Sequence, residues 1–141
     1  MPATRDQLDI LLALGADVAH GPDNVIDSSD VVLDAILGYS QRGTPRAGAA
    51  DLIRSTASAR VIALDVPSGL ELSMGILHEP HVRAEATMTL AAPKEALRAP
   101  HVEEAVGRLY LGDISIPPAA FARIGVAYEA PFSEGPLVRF D

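Results

Sequence analysis

The sequence contains no cysteine and no tryptophan, only three phenylalanines and three tyrosines, and eleven basic residues against nineteen acidic ones in 141 positions. Each shortage excludes something. Without cysteine there can be no disulfide framework, no thiolate metal site and no cysteine nucleophile. With so few aromatics the core must be built from Leu, Ile, Val and Ala, as in helix-covered sheets. A formal net charge of −8 argues against a nucleic-acid groove, which needs concentrated Lys and Arg to neutralise phosphates. No apolar run approaches the length of a bilayer span, and no basic segment followed by an apolar one opens the chain, so neither a membrane segment nor a secretory leader is expected. A soluble, cytoplasmic protein is the expectation.

What is present is globular in character. Hydrophobic residues make up 48% and the mean hydropathy is +0.20, enough for a core without disulfides or metals, and residues 1–141 are expected to form one domain. Thr4 and Gln7 have capping-box spacing, and Leu8, Leu11 and Leu12 continue at helical spacing to a stop at Gly15. A short strand is predicted over Ala16–His20 and a polar connection over 21–30. Val31–Leu37 is short and β-branched at its start, which predicts a buried strand. A helix is predicted from Arg46 to Ser58, with Ala47, Ala50, Ile53 and Ala57 on one side.

Further strands are predicted at Arg60–Val66, Ala84–Ala92 and Arg108–Ile114, with helical residues at Lys94–Leu97 and His101–Val106 between the last two. Residues 70–82 read as a loop, a turn of helix follows Pro117-Pro118, and the tail from about Glu129 reads as irregular. Strand, helix and strand in succession require right-handed crossovers and a parallel sheet covered by helices. The expected fold is therefore α/β: a three-layer, Rossmann-like domain with a mainly parallel sheet. It is unusual in opening on a helix rather than on a strand followed by phosphate-binding glycines.

Two predicted strands end in carboxylates. Asp34 lies toward the end of the first, and its loop carries Gly38, Tyr39, Ser40, Gln41, Arg42, Gly43 and Thr44. Asp65 ends the second, followed by Ser68 and Gly69. In open parallel sheets ligands sit beyond the carboxyl ends of the strands, so both aspartates could face one crevice. Backbone N–H groups and hydroxyls of these loops suit an anionic or sugar-like ligand, and a carboxylate with a hydroxyl and carbonyls suits a hard cation. In a second reading the aspartates only cap loop N–H groups and the glycines only make turns. Ser68 lacks the first glycine of a nucleophile elbow. His78 and His81 have a metal-like spacing but no third ligand nearby, so a solvated loop is expected there. Lys94, after Pro93 at a strand end, could face an anionic ligand, but a solvated side chain is the expectation there.

Four blocks carry a resemblance: Asp34-Ala35-Ile36-Leu37-Gly38 with Gly43-Thr44-Pro45-Arg46; Asp65-Val66-Pro67-Ser68-Gly69; "VRAEATMTLAAPKEAL"; and "GRLYLGDISIP". Together, from Val31 to Pro117, they resemble the YjeF N-terminal domain family, the NAD(P)H-hydrate epimerases. The resemblance implies that Asp34 and Ser68 ligate a potassium ion, that Gly38 to Thr44 contact hydrated NAD(P)H, and that Asp65 binds the substrate and acts in catalysis. It also implies a homodimer, and a functional pairing with an ADP- or ATP-dependent dehydratase that restores the S form to NAD(P)H.

The match departs from the family in three places. No segment before Thr4 corresponds to the family's first strand and N-N-G-G-D-G loop, so the domain is expected to be truncated at its N-terminus relative to the family. Tyr39, Gln41 and Arg42 stand in a loop that is usually small and apolar, and Glu71 replaces a usual aspartate. Two functions follow: an epimerase of hydrated NAD(P)H, or a non-catalytic binding or dimerisation scaffold of the same domain type.

Overall fold

The computed structural model describes residues 2–19, 21, 26 and 30–140. The chain begins with helix α1 (Pro2–Ala13), then strand β1 (Val31–Asp34), helix α2 (Ala47–Ser55) and strand β2 (Arg60–Leu64). A short hairpin, β3 (Leu70–Glu71) and β4 (Ile76–Leu77), precedes β5 (Ala86–Leu90). Two 3-10 turns, Glu95–Arg98 and Pro100–Val102, run into α3 (Glu103–Val106). Strand β6 (Arg108–Gly112), helix α4 (Pro118–Arg123) and strand β7 (Leu137–Phe140) complete the described elements.

The main sheet has the order β1-β2-β5-β6-β7. Its first four strands are parallel, and β7 is antiparallel to β6. This is the Rossmann-like α/β architecture, with a mainly parallel sheet, that the sequence pattern predicts. Register decides which side chains share a face, because residues paired side by side point the same way. Val32 pairs with Val61, Ala63 with Thr87, and Thr87 with Leu109. On that face two apolar clusters form. Ile53 of α2 packs with Val61, Ala63, Val82 and Ala84, while Leu97, Val102 and Val106 pack with Val66, Leu70 and Leu109. The buried Thr87 hydroxyl donates to the Val106 carbonyl at 2.7 Å, which satisfies a polar group in the core.

The opposite face is open at its β1–β2 end, while Ala86, Met88, Leu90 and Tyr110 on β5 and β6 are half-buried. Val31, Leu33 and Ile62 are 58%, 61% and 40% exposed. Neither α1, from Thr4 on, nor α4 has a buried side chain, and Leu11 and Leu12 of α1, with Leu14 just after it, stand at least half in solvent. Of the three layers expected, the sheet and the layer of α2 and α3 are packed together.

Several local expectations are corrected. Helix α1 begins at Pro2, a residue favoured in a first turn, so Thr4 lies inside the helix and not at its cap. Residues 16–19 form no strand, and His20 lies outside the described residues, as does most of the connection over 21–30. Residues 70–82, expected to be a loop, contain the β3–β4 hairpin. The tail is not irregular throughout: Leu137–Phe140 adds an edge strand in which Val138 and Phe140 are half-buried while Leu137 and Arg139 are exposed.

Candidate active site

Strands β1 and β2 lie side by side and parallel, so their carboxyl ends open on one rim, carrying Asp34 and Asp65. The two carboxylates have different surroundings. Asp34 is fully buried. Its Oδ1 accepts the Ser68 hydroxyl at 2.6 Å and the Ile36 N–H at 3.2 Å, and its Oδ2 accepts the Ser68 N–H at 2.8 Å. The Ser68 oxygen in turn accepts the Leu37 N–H at 2.9 Å and lies 3.3 Å from the Leu37 carbonyl. Among the described residues no Lys, Arg or His forms an ion pair with Asp34. A buried carboxylate served only by neutral donors is an uncompensated charge, and such groups are ordinarily paired or bound to a cation.

The donor set fits a hard cation. A carboxylate, a hydroxyl and a backbone carbonyl are all oxygens, and each keeps a lone pair beyond the hydrogen bonds described. Soft or borderline metals are a poor match: the described residues hold no group of three His, Asp or Glu side chains that could bind one. Nor is Ser68 a nucleophile. It is 1% exposed and donates its hydroxyl hydrogen bond to Asp34, and among the described residues no histidine bonds its oxygen.

Asp65 is partly open. Its backbone sits at φ 70°, rare for a residue with a side chain, and is held there by its N–H bonding to the Met88 carbonyl at 2.8 Å. Every side-chain contact falls on Oδ1: the Lys94 ammonium at 2.7 Å, the Leu90 N–H at 3.3 Å and the Thr89 hydroxyl at 3.4 Å. Lys94 also donates to the Thr89 hydroxyl at 2.7 Å and the Leu90 carbonyl at 3.0 Å, using all three of its protons. The expectation that Lys94 is solvated is therefore wrong. It is anchored at the end of β5 against the carboxylate of a neighbouring strand. The Oδ2 atom of Asp65 takes no bond from the described residues and is available to a ligand.

The loop from Gly38 to Thr44 is stitched to the loop after β2. Gln41 accepts the Gly69 N–H at 2.9 Å and donates to the Gly43 carbonyl at 3.2 Å. The Gly43 N–H donates to Glu71 Oε2 at 2.7 Å. Gly69 has no substitute: it has φ 105°, and a Cβ there would lie 2.5 Å from the Cβ of His81. Gly38, Tyr39, Ser40, Arg42 and Thr44 are exposed, and Tyr39 is 66% so. Arg42 folds back on the Gln41 carbonyl at 2.8 Å.

A crevice of about 550 Å³ opens beside Lys94, with Tyr39 on one side, Ser73, Met74 and Gly75 of the hairpin on another, and Ala99 beyond; Asp65 reaches it only through Lys94. A larger hollow of about 680 Å³ lies at the amino ends of β5 and β6, beside Glu85, Gly107 and Arg108, and holds neither strand-end aspartate. Of the two, the rim crevice is the one lined by Lys94, the partner of Asp65.

Sequence reasoning missed two contributors. Lys94 had a signal, a lysine directly after a strand end. Glu71, 6% exposed, had only its place after the Ser68 loop. Its carboxyl is pulled down to about 2, first by the Gly43 N–H and then by His78 and Ser73. His78 does not sit in a solvated loop, since its Nε2 is 3.0 Å from Glu71 Oε2. His81 is also largely buried, its Nδ1 3.2 Å from the His78 carbonyl.

Comparison with known proteins matches residues 2–96 to the family described as YjeF-related protein N-terminus. An NAD(P)H-hydrate epimerase of Dehalogenimonas lykanthroporepellens is 39% identical over 139 residues, covering 96% of this chain and 55% of that protein. A bifunctional NAD(P)H-hydrate repair enzyme Nnr of Hyperthermus butylicus is 38% identical over 138 residues, covering 90% of this chain and 25% of its own length. The chain thus spans about half the length, or less, of these relatives. The crystal structure of yeast ynu0, YNL200c, superposes with a TM-score of 0.60 at 20% identity, over 77% of this chain and 45% of that one, and supports the fold alone.

Proposed function

Since the chain belongs to the family of YjeF-related protein N-termini, we propose that it is an NAD(P)H-hydrate epimerase domain, interconverting the R and S forms of hydrated NAD(P)H with Asp65 at the reacting ring. The observation that carries this reading is the Asp65–Lys94 pair, whose lysine lines the rim crevice. Lys94 holds Oδ1, which fixes the carboxylate's rotamer and leaves Oδ2 to accept the proton of the ring hydroxyl as the adjacent C–N bond breaks, its electron pair going to nitrogen and a carbonyl forming; the nitrogen then re-adds to the other face of that carbonyl and the oxygen takes the proton back. Tyr39, on the crevice wall, offers a planar face for a ring of the dinucleotide.

Asp34, Ser68 and the Leu37 carbonyl would hold a potassium ion, which would supply the positive charge that the buried Asp34 lacks. The residues act on the loops regardless: Ser68 bridges the chain after β1 to the chain after β2. A retained carboxylate, lysine and loop on one rim favour catalysis over a non-catalytic scaffold. Under the same reading the S product passes to a dehydratase, the second activity implied where a relative is named bifunctional, in the cytoplasm where the dinucleotides are.

A homodimer belongs to this proposal as well. The chain exposes 9401 Å², against roughly 7000 Å² for a folded monomer of its mass. The excess on one chain is larger than the roughly 800 Å² per partner that a standard interface buries, and the open sheet face around Leu33 supplies apolar surface for one.

The direct test supplies R-hydrate to the purified chain with an S-specific dehydratase and follows recovery of NAD(P)H by its absorbance. Faster recovery than with dehydratase alone, greater in potassium than in lithium, is expected. No acceleration in either salt would overturn the epimerase reading.

A further inference from the structure

Tyr39 and Met74 face each other across the rim crevice from two different segments, the loop after β1 and the β3–β4 hairpin. Neither segment belongs to the main sheet, so nothing in the sheet's register sets the distance between them. Two links join them: Gln41 of the Tyr39 loop accepts the Gly69 N–H at 2.9 Å, just before β3, and a larger set of hydrogen bonds is centred on one side chain. Glu71, on β3, takes the Gly43 N–H on Oε2 at 2.7 Å, the His78 ring on the same oxygen at 3.0 Å, and the Ser73 hydroxyl on Oε1 at 2.9 Å. Gly43 belongs to the Tyr39 loop, Ser73 to the hairpin turn and His78 to the residue after β4. At the far side His101 Nε2 lies 2.7 Å from the Gly75 carbonyl, tying the hairpin tip to the Pro100–Val102 turn.

We propose that Glu71 is a positioning residue that locks the Tyr39 loop to the β3–β4 hairpin and so sets the width of the substrate crevice. Three features separate this role from ordinary surface bonding. The carboxylate is 6% exposed, so its bonds are not exchanged freely with water. It replaces, at Gly43, a backbone N–H partner that no secondary structure supplies. Its partners come from both walls of the crevice, so removing it loosens one wall against the other, leaving the Gln41–Gly69 bond as the remaining tie, without touching a strand of the main sheet. Glu71 is not among the residues lining the crevice and is given no part in the chemistry.

The inference rests on the epimerase reading for its functional consequence, though not for the lock itself, and the experiment separates the two. Amide hydrogen exchange at Gly43 reads the lock directly. In Glu71→Ala the Gly43 amide should lose protection by about tenfold or more, as expected when a hydrogen bond to a buried charge is removed. Amides of β2, β5 and β6 should keep theirs. Glu71→Gln, which keeps the shape and one neutral acceptor, should fall between the two and guards against a folding defect in the alanine variant. In the epimerase assay Glu71→Ala should raise KM about fivefold to tenfold while kcat stays within about twofold, because the loop must be ordered anew at each binding event.

Unchanged Gly43 protection in both variants would overturn the proposal. So would lost protection with an unchanged KM, which would make the bond structural only. If the wild-type chain shows no epimerase activity, that reading falls, and the exchange result still decides the lock.

Discussion

Asp34 and Asp65 occupy equivalent places in sequence, each at the end of a short apolar run, and chemistry distinguishes them only through what folds against them. One is buried among neutral donors and the other is held by a lysine on one oxygen. That both aspartates mark a rim was legible from their positions. Their partners were not, because Lys94 lies 29 residues from Asp65 and Glu71 lies 28 from Gly43, and such pairs are chosen by strand order. Lys94→Gln should lower kcat by roughly tenfold to a hundredfold, through a mobile Asp65 carboxylate, and a kcat within twofold of wild type would remove Lys94 from the site. Glu71 carries a signature in pH. The Gly43 N–H, then His78 and Ser73, hold its carboxyl down at about 2, against an ordinary value of 4.5, so its stabilising contribution is complete above about 4.5 and is lost as pH falls through about 2. The stability difference between wild type and Glu71→Gln should therefore shrink over that window, as urea unfolding at successive pH values would read. A constant difference would contradict it.

At the scale of elements, β1, α2, β2, β5 and β6 were legible because each carries a periodic apolar pattern that tertiary packing reinforces. The hairpin and β7 were not. Two-residue strands have no period to detect, and β7 is an edge strand whose Arg139 interrupts an already short run. The capping box failed because a proline two residues upstream offered an earlier start. The turn after β2 is the element on which the site depends most. Gly69→Ala would force a Cβ into His81 at a backbone angle that disfavours any side chain, and should cost about 2–4 kcal/mol. Thermal or urea unfolding would show it, and a loss below about 0.5 kcal/mol would mean that the turn rearranges freely.

At the scale of the whole molecule, one sheet face is packed and the other is open at its β1–β2 end, a difference invisible in a sequence whose strands are apolar on both sides. Two substitutions expose it. Ile53→Ala, on the packed side at 2% exposure, should cost about 2–5 kcal/mol. Leu33→Asp, on the open side, should change the stability of a monomer by no more than about 0.5 kcal/mol. If the open face joins two copies, Leu33→Asp should instead shift the sedimentation coefficient from dimer to monomer, and a wild-type chain that sediments as a monomer at tens of micromolar, an order-of-magnitude choice, would remove the dimer from the account. The chemistry at the rim does not depend on that outcome. The account's central claim is that the Asp65 carboxylate, held by Lys94, turns over the hydrate. The measurement that reaches it most directly compares wild type with Asp65→Asn in the coupled recovery of NAD(P)H from R-hydrate. Asn keeps the size and loses the charge, so the account predicts a folded variant whose acceleration is abolished. A variant that accelerates recovery as fast as wild type would contradict it.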